Sequence, residues 1–298
     1  MNHKLTHKQF DVLTILVDAE APISQRKLAE LSGHSLSSIN RTLQELNSLG
    51  YVENNTITSA GVEALEPYRA KRAVFIAAGF GSRLVPVTLN TPKPLVRVNG
   101  KRIIDGLLDA CLAAGIEEII IVRGYLAEQF DQLLYKYPMI KFIENPLYNE
   151  ANNISSALCT RYSLSNTYVF EADLLIHNPK IIKKYHYRSD FMGFPIQRSD
   201  DWCFDVTKGY ITNQKVGGTD CYQMVGISYW NEEDGRKLAE HIKEAYEMPG
   251  GKELYWEQVP LKIFKSEYKV AIAPCTAEDI IEIDTFRELK AIDKSYDV

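Results

Sequence analysis

Two kinds of residue in this chain are suited to phosphate chemistry, and they lie far apart in sequence. An apolar stretch, Ala73 to Ala78, runs into Gly79-Phe80-Gly81-Ser82-Arg83-Leu84, followed by Pro92-Lys93-Pro94-Leu95. Two glycines let a backbone turn tightly and bring its N–H groups close to phosphate oxygens, and Arg83 and Lys93 add fixed positive charge beside that turn. The loop lacks the third glycine of a dinucleotide fingerprint and is not a Walker A sequence. The second kind is carboxylate. Glu171-Ala172-Asp173 follows the apolar run Tyr168-Val169-Phe170, at the strand end where open α/β sheets bind ligands. In Glu282-Ile283-Asp284 the two acids alternate and share one face of extended chain. If folding brings Asp173 to this pair, they offer oxygen ligands for Mg²⁺, with room for water and nucleotide phosphates.

Such groups need a scaffold, and the hydrophobic pattern supplies one. From residue 72 onward strands alternate with helices: strands at 73–78, 118–122, 141–144 and 167–170, and helices near 103–114, 127–137 and 153–162. Continuous apolar strands between amphipathic helices predict an α/β fold, a mixed and mostly parallel sheet covered by helices on both faces. Residues 1–66 read differently. Apolar residues at 10, 13, 15, 16 and 17 mark a first helix, and Leu28 and Leu31 a second. Leu36, Ile39, Leu43, Leu46 and Leu49 mark a third with a one-sided stripe. Ser24 and Ser35 are expected N-caps, Gly50 a helix stop, and Asn54-Asn55 the turn of a short hairpin. Pro67 opens a linker, 67–71, that leads into a catalytic domain at 72–298.

Composition narrows the function classes. The chain has 298 residues, 45% hydrophobic and 24% charged, with a net charge of −5, which argues against coating nucleic acid or an anionic membrane. No apolar run approaches the roughly 20 residues of a membrane span. The start lacks the order of a signal peptide, so the cytoplasm is the expected location. Cys111, Cys159, Cys203, Cys221 and Cys275 show no metal-ligand rhythm and read as reduced and structural.

Helix, turn, helix and hairpin over 23–52 resemble a winged helix-turn-helix. DNA binding would use Ser37, Arg41, Gln44, Glu45 and Ser48 of the third helix. Residues 1–70 hold six Lys and Arg against eight Asp and Glu, few cations for phosphate contacts. DNA binding and homodimerisation both stand as readings of this module.

The string Ala77-Ala78-Gly79-x-Gly81-x-Arg83 with Pro92-Lys93-Pro94 resembles the signature of the nucleotidyltransferases, whose core is Rossmann-like. Within them the chain from residue 71 on is similar to bacterial CTP:phosphocholine cytidylyltransferases. The stretches that carry the likeness are 149–154, 171–173, 226–230, 254–257 and 279–284. The resemblance implies Mg²⁺ on Asp173, Glu282 and Asp284, and triphosphate contacts from the catalytic pair Arg83 and Lys93. It implies nucleotide binding by Ala78, Gly79, Phe80, Gly81 and Ser82, with Asn152 and Asn153 near the base or ribose. Glu257 stands where aspartate is expected.

The implied substrates are CTP and phosphocholine, giving CDP-choline and pyrophosphate. A quaternary ammonium donates no hydrogen bond and is held by aromatic faces, so Trp202, Tyr229, Tyr255 and Trp256, with Glu257, form the expected substrate pocket, and Trp230 is the better core residue. None of the six histidines falls inside these motifs, in keeping with an acceptor that brings its own dianionic nucleophile. The alternatives are a cytidylyltransferase for 2-aminoethylphosphonate or phosphoethanolamine, whose primary ammonium calls for carboxylates, and a transcription regulator whose α/β domain senses a nucleotide or a choline compound.

Overall fold

The computed structural model describes residues 4–19 and 21–297; Met1, Asn2, His3, Glu20 and Val298 lie outside the described residues. The chain divides into two units. One runs up to Arg69 and takes in Tyr185–Tyr187; the other comprises Ala70–Lys184 and Arg188 onward.

In the first unit α1 (His7–Val17), α2 (Gln25–Ser32) and α3 (Leu36–Ser48) are followed by the two-residue strands β1 (Val52–Glu53) and β2 (Thr56–Ile57) and by α4 (Ser59–Leu65). The starts are set by side chains. Thr6 and Gln9 form a capping box for α1, Ser24 accepts from the Lys27 N–H, and Ser35 accepts from the Ser38 N–H. Asn54 and Asn55 take positive φ, which closes the hairpin. Ile39, Leu43 and Leu46 of α3 meet Val12, Leu13, Leu16 and Leu28 in one core. Leu31, assigned to the second helix, and Leu36 and Leu49, assigned to the third, are exposed, because each lies at or just past a helix end, outside the packed turns. Tyr185 is buried in the same core, and Tyr187 stacks on Tyr68 at 5.7 Å.

The second unit is built on a seven-stranded sheet. Its strands are β3 (Arg72–Ile76), β6 (Glu118–Arg123), β7 (Lys141–Glu144), β8 (Thr167–Glu171), β10 (Asp190–Thr207), β11 (Tyr210–Trp230) and β12 (Ala271–Pro274), in the order β10-β12-β11-β8-β3-β6-β7. Strands β3, β6, β7 and β8 run parallel, whereas β11 is antiparallel to β8. Short ladders β4 (Arg97–Val98) with β5 (Lys101–Arg102), and β9 (Leu174–Ile176) with β13 (Ile280–Glu282), stand apart from it. Period-two side chains divide between two cores. Ala73, Phe75, Ile119, Ile121, Tyr168 and Phe170 face one, packed with α5 (Ile103–Ala113). Val74, Ile120, Val122 and Val169 face the other, under α6 (Ile154–Thr160) and α7 (Glu232–Glu247). Both faces are therefore covered, which is why the strands read as unbroken apolar runs. Helix α8 (Phe286–Ile292) follows β13 and precedes a 3₁₀ turn, Lys294–Tyr296. The segment expected as a helix near 127–137 is a 3₁₀ run, Ala127–Tyr135, and the long β10–β11 hairpin was not anticipated.

Among the described residues no helix is long and apolar enough to cross a membrane, and all five cysteines are free.

Two residues expected in an open pocket are core instead. Tyr229 is fully buried, and its hydroxyl donates to Asn166 Oδ1 at 3.3 Å. Trp256, 2% exposed, lies between Phe191 (6.4 Å) and Trp230 (5.9 Å). Strand parity sends Tyr229 and Trp230 into opposite cores, so neither faces solvent. Trp256→Ala is expected to lower stability by about 3–5 kcal/mol, read as a shift of the urea midpoint at unchanged slope; an unmoved midpoint would return Trp256 to an open site.

Candidate active site

The glycine loop begins where β3 ends. Ala77 still donates to the Val122 carbonyl, and Gly81 at φ +62° then turns the chain into a 3₁₀ turn, Ser82–Leu84. A Cβ on Gly81 would lie 2.9 Å from Lys93 Cβ and 3.2 Å from Thr88 Cγ2, so glycine here lets the lysine segment pack directly on the loop. Nothing lies within 4 Å of the same position on Gly79, which leaves its backbone open to a ligand. Phe80 is exposed and tilted against Tyr125 (5.0 Å) and Tyr148 (5.3 Å).

Lys93 is 8% exposed, in a 3₁₀ turn between two prolines. Its Nζ donates to Asp173 Oδ2 at 2.8 Å and to Asp284 Oδ1 at 3.2 Å. Arg83 pairs with the other oxygen of Asp284. Burial opposes the ammonium charge, but Asp173, Asp284 and Glu282 outweigh it and hold the Lys93 pKa above its usual range. The two acids meet through a backbone device. β13 pairs antiparallel with β9, with Glu282 opposite Leu174, and the Ile283 N–H extends the ladder to the Asp173 carbonyl at 3.3 Å. Asp284 immediately precedes Thr285, the N-cap of α8, where Glu288 accepts the backbone N–H groups of Asp284 and Thr285.

Asp173, Glu282 and Asp284 therefore converge with Arg83 and Lys93. Sequence reasoning missed one further carboxylate, Glu171, whose oxygen lies within 4.8 Å of those of Asp173 and Glu282. Its signal was present: Glu171 and Asp173 are spaced i, i+2, like Glu282 and Asp284. A glycine makes room for it, since a Cβ on Gly226 would lie 2.4 Å from Glu171 Oε2. Burial, then the charges of Glu257, Asp173 and Glu282, push the Glu171 carboxyl well above the ordinary range. Burial raises Glu257 to about 7, and burial with Asp173 and Asp284 raises Glu282 to about 8. One oxygen of Asp173 and one of Glu257 are buried without a hydrogen-bond partner. Hard oxygen donors, an orphaned Asp173 oxygen and an excess of carboxylates over cations fit a divalent ion such as Mg²⁺.

The remaining expected residues divide. Asn152 and Asn153, expected at the nucleotide, brace a loop: Asn152 donates to the carbonyls of Lys252 (2.7 Å, backbone) and Glu253 (3.2 Å, side chain), and Asn153 Oδ1 accepts the Trp256 N–H at 2.8 Å. Glu257 is buried, and its charge acts on Glu171. Trp202 and the exposed Tyr255 make an edge-to-face pair at 5.7 Å. Beside the carboxylates opens a cleft of about 240 Å³, whose lining includes Phe194, Asp201, Gln223, Met224, Glu282 and Asp284.

A family model of nucleotidyl transferases matches residues 72–178, and one of the MarR family matches residues 3–55. The chain is 39% identical over 228 residues to the 2-aminoethylphosphonate cytidylyltransferase of Lancefieldella rimae, covering 75% of this chain and 92% of that protein. It is 31% identical over 234 residues to the choline-phosphate cytidylyltransferase of Streptococcus pneumoniae, covering 75% and 97%. Among solved structures, CTP:phosphocholine cytidylyltransferase from Streptococcus pneumoniae superposes with a TM-score of 0.70 at 29% identity, over 76% of this chain and 99% of that one. An apo UDP-glucose pyrophosphorylase at 14% identity and TM-score 0.59 shares the fold.

The raised Glu282 has a stability consequence. Between its ordinary value of 4.5 and about 8 the folded protein keeps a proton that the unfolded chain has lost, so this group's contribution falls as pH rises through that window. Glu282→Gln removes the loss, and the melting temperature of the variant minus that of the parent should widen from pH about 5 to about 8. A difference that stays constant across the window would mean Glu282 ionises normally.

Proposed function

The chain belongs to the cytidylyltransferases of the nucleotidyl transferase family, and on that premise we propose that it transfers the cytidylyl group of CTP to a phosphoryl oxygen of a small zwitterion. The acceptor carries a phosphate or phosphonate at one end and a cationic nitrogen at the other; phosphocholine, phosphoethanolamine and 2-aminoethylphosphonate are of this class. An acceptor oxygen attacks the α-phosphorus of CTP in line; a new P–O bond forms as the bond to the β-phosphate oxygen breaks, and pyrophosphate leaves with the electron pair.

The observation that carries this reading is the Lys93 ammonium lying between Asp173 and Asp284 beside the Gly81 turn. Two anions must approach each other and charge must build on the departing pyrophosphate. Lys93, Arg83 and the amides of residues 79–82 would meet that charge. Glu171, Asp173, Glu282 and Asp284 would hold Mg²⁺, whose chemistry when bound is to neutralise phosphate oxygens. The acceptor supplies its own nucleophile, so no side chain has to remove a proton.

The phosphocholine form of this reading draws on the accessible Trp202–Tyr255 pair, a surface suited to a quaternary ammonium. The MarR-like unit carries Arg41 on α3, already paired with Glu45 at 3.0 Å, so a DNA contact from this face would rest on few phosphate partners.

Pyrophosphate release measured over four nucleoside triphosphates and a panel of these acceptors tests the assignment. Release with CTP and at least one zwitterionic acceptor is expected, and none with any acceptor would sink it, leaving a sensor. Lys93→Ala should slow release by on the order of 100- to 1000-fold with the far-ultraviolet circular dichroism unchanged; near-parental turnover would remove Lys93 from the chemistry.

A further inference from the structure

The cleft beside Lys93 is unevenly neutralised. Of its acidic lining residues, Asp284 is held by Lys93 and Arg83. Glu288 is spent on the N–H groups that start α8, and Glu282 converges with Glu171 and Asp173. Asp201, on β10, has no such engagement. Its Oδ1 accepts the Trp202 N–H at 2.7 Å, and no cation pairs with it among the described residues, whereas the neighbouring Asp200 has Arg198 at 3.5 Å. Across the cleft the Asp201 charge acts on Glu282.

The rest of the lining decides what such a charge is for. Phe194 is the one aromatic among the cleft residues, the walls being otherwise Leu174, Met224, Val225, Ile280 and their like. Of the four rings expected in an aromatic cage, Tyr229 and Trp256 are in the cores, and the Trp202–Tyr255 pair is not part of this cleft's lining. Gln223 adds an amide, its Oε1 accepting from Ser199 at 3.3 Å. A trimethylammonium group finds few ring faces here and nothing for a carboxylate to bond. A primary ammonium brings three N–H donors and needs acceptors.

We propose that Asp201 is the acceptor-specificity residue, receiving the primary ammonium of a short aminoalkyl phosphonate or phosphate whose phosphoryl end lies at the Lys93 centre. This rests on the cytidylyl-transfer reading and adds the substitution state of the nitrogen. A bond from a charged donor is worth about 1.5–3 kcal/mol, roughly 10- to 150-fold in kcat/KM.

The test compares the full-length parent with Asp201→Asn, which keeps shape and removes charge, and with Asp200→Asn as a control on the same strand. kcat/KM is measured for 2-aminoethylphosphonate, phosphoethanolamine and phosphocholine, and KM for CTP. The parent is expected to prefer one or both primary amines, the two arms separating phosphonate from phosphate. Asp201→Asn should lower kcat/KM for the primary amines by roughly 10- to 150-fold, with phosphocholine and the KM for CTP nearly unchanged, and Asp200→Asn should leave all three acceptors as in the parent. A parent that prefers phosphocholine overturns the proposal, as does an Asp201→Asn variant that loses all acceptors equally or none. A parent inactive with every acceptor overturns the transfer reading itself, a distinguishable failure.

Discussion

Holding Asp173 and Asp284 within reach of a single ammonium group is the constraint on which the catalytic unit depends. Two carboxylates at such separations repel, and taking charge out of water adds to the cost unless a counter-charge meets it in good geometry. The backbone ladder between β9 and β13 forces the meeting, and Lys93 makes it tolerable at 2.8 and 3.2 Å. Lys93 is itself fixed, lying between Pro92 and Pro94, whose rings restrict φ, and packing on a loop residue that has no side chain. Phosphate loop, lysine and acids thus determine one another's positions, although 191 residues separate Lys93 from Asp284.

Behind this outer set lies an inner one, Glu171 and Glu257, whose carboxyls burial keeps from ionising in the ordinary range. With Glu282 they give the site acids that hold their protons until a cation arrives, because the chain's own Lys93 and Arg83 are already paired with Asp173 and Asp284. A cation brought to the site from outside, a divalent ion or the nitrogen of a substrate, would favour their ionised form. The Gly226 backbone that makes room for Glu171 belongs to the strand that also carries Gln223 and Met224 of the cleft wall, so one strand shapes both parts of the site.

Much of this was legible before folding. The apolar runs at 73–78, 118–122 and 167–170 became adjacent parallel strands because residues buried on both faces leave no polar alternation to misread. Ser24 and Ser35 capped the expected helices because the chemistry of a cap is local. Glu282 and Asp284 could be paired by parity alone. Contacts between distant strands were not legible. Whether Tyr229 faces a pocket or a core depends on its pairing with Tyr168, which no local pattern encodes. Trp256 looked like a cage residue for want of any sign that Phe191 and Trp230 would enclose it. Asn152 and Asn153 look alike as ligands and as loop braces until the carbonyls of Lys252 and Glu253 arrive beside them.

The grouping of Tyr185–Tyr187 with the N-terminal unit bears on where the chain can be divided. A module added as a bead on a string needs one junction, but this chain passes between its units at three places, after Arg69, after Lys184 and after Tyr187. The cytidylyltransferase relatives align with about 75% of it. Phe10 packs on both Tyr68 and Tyr187, so the core of the first unit is completed by a residue from far downstream. The stretch ahead of β10 contributes Tyr185 and Tyr187 to the N-terminal core, so a cut after Arg69 would strip that core of both rings.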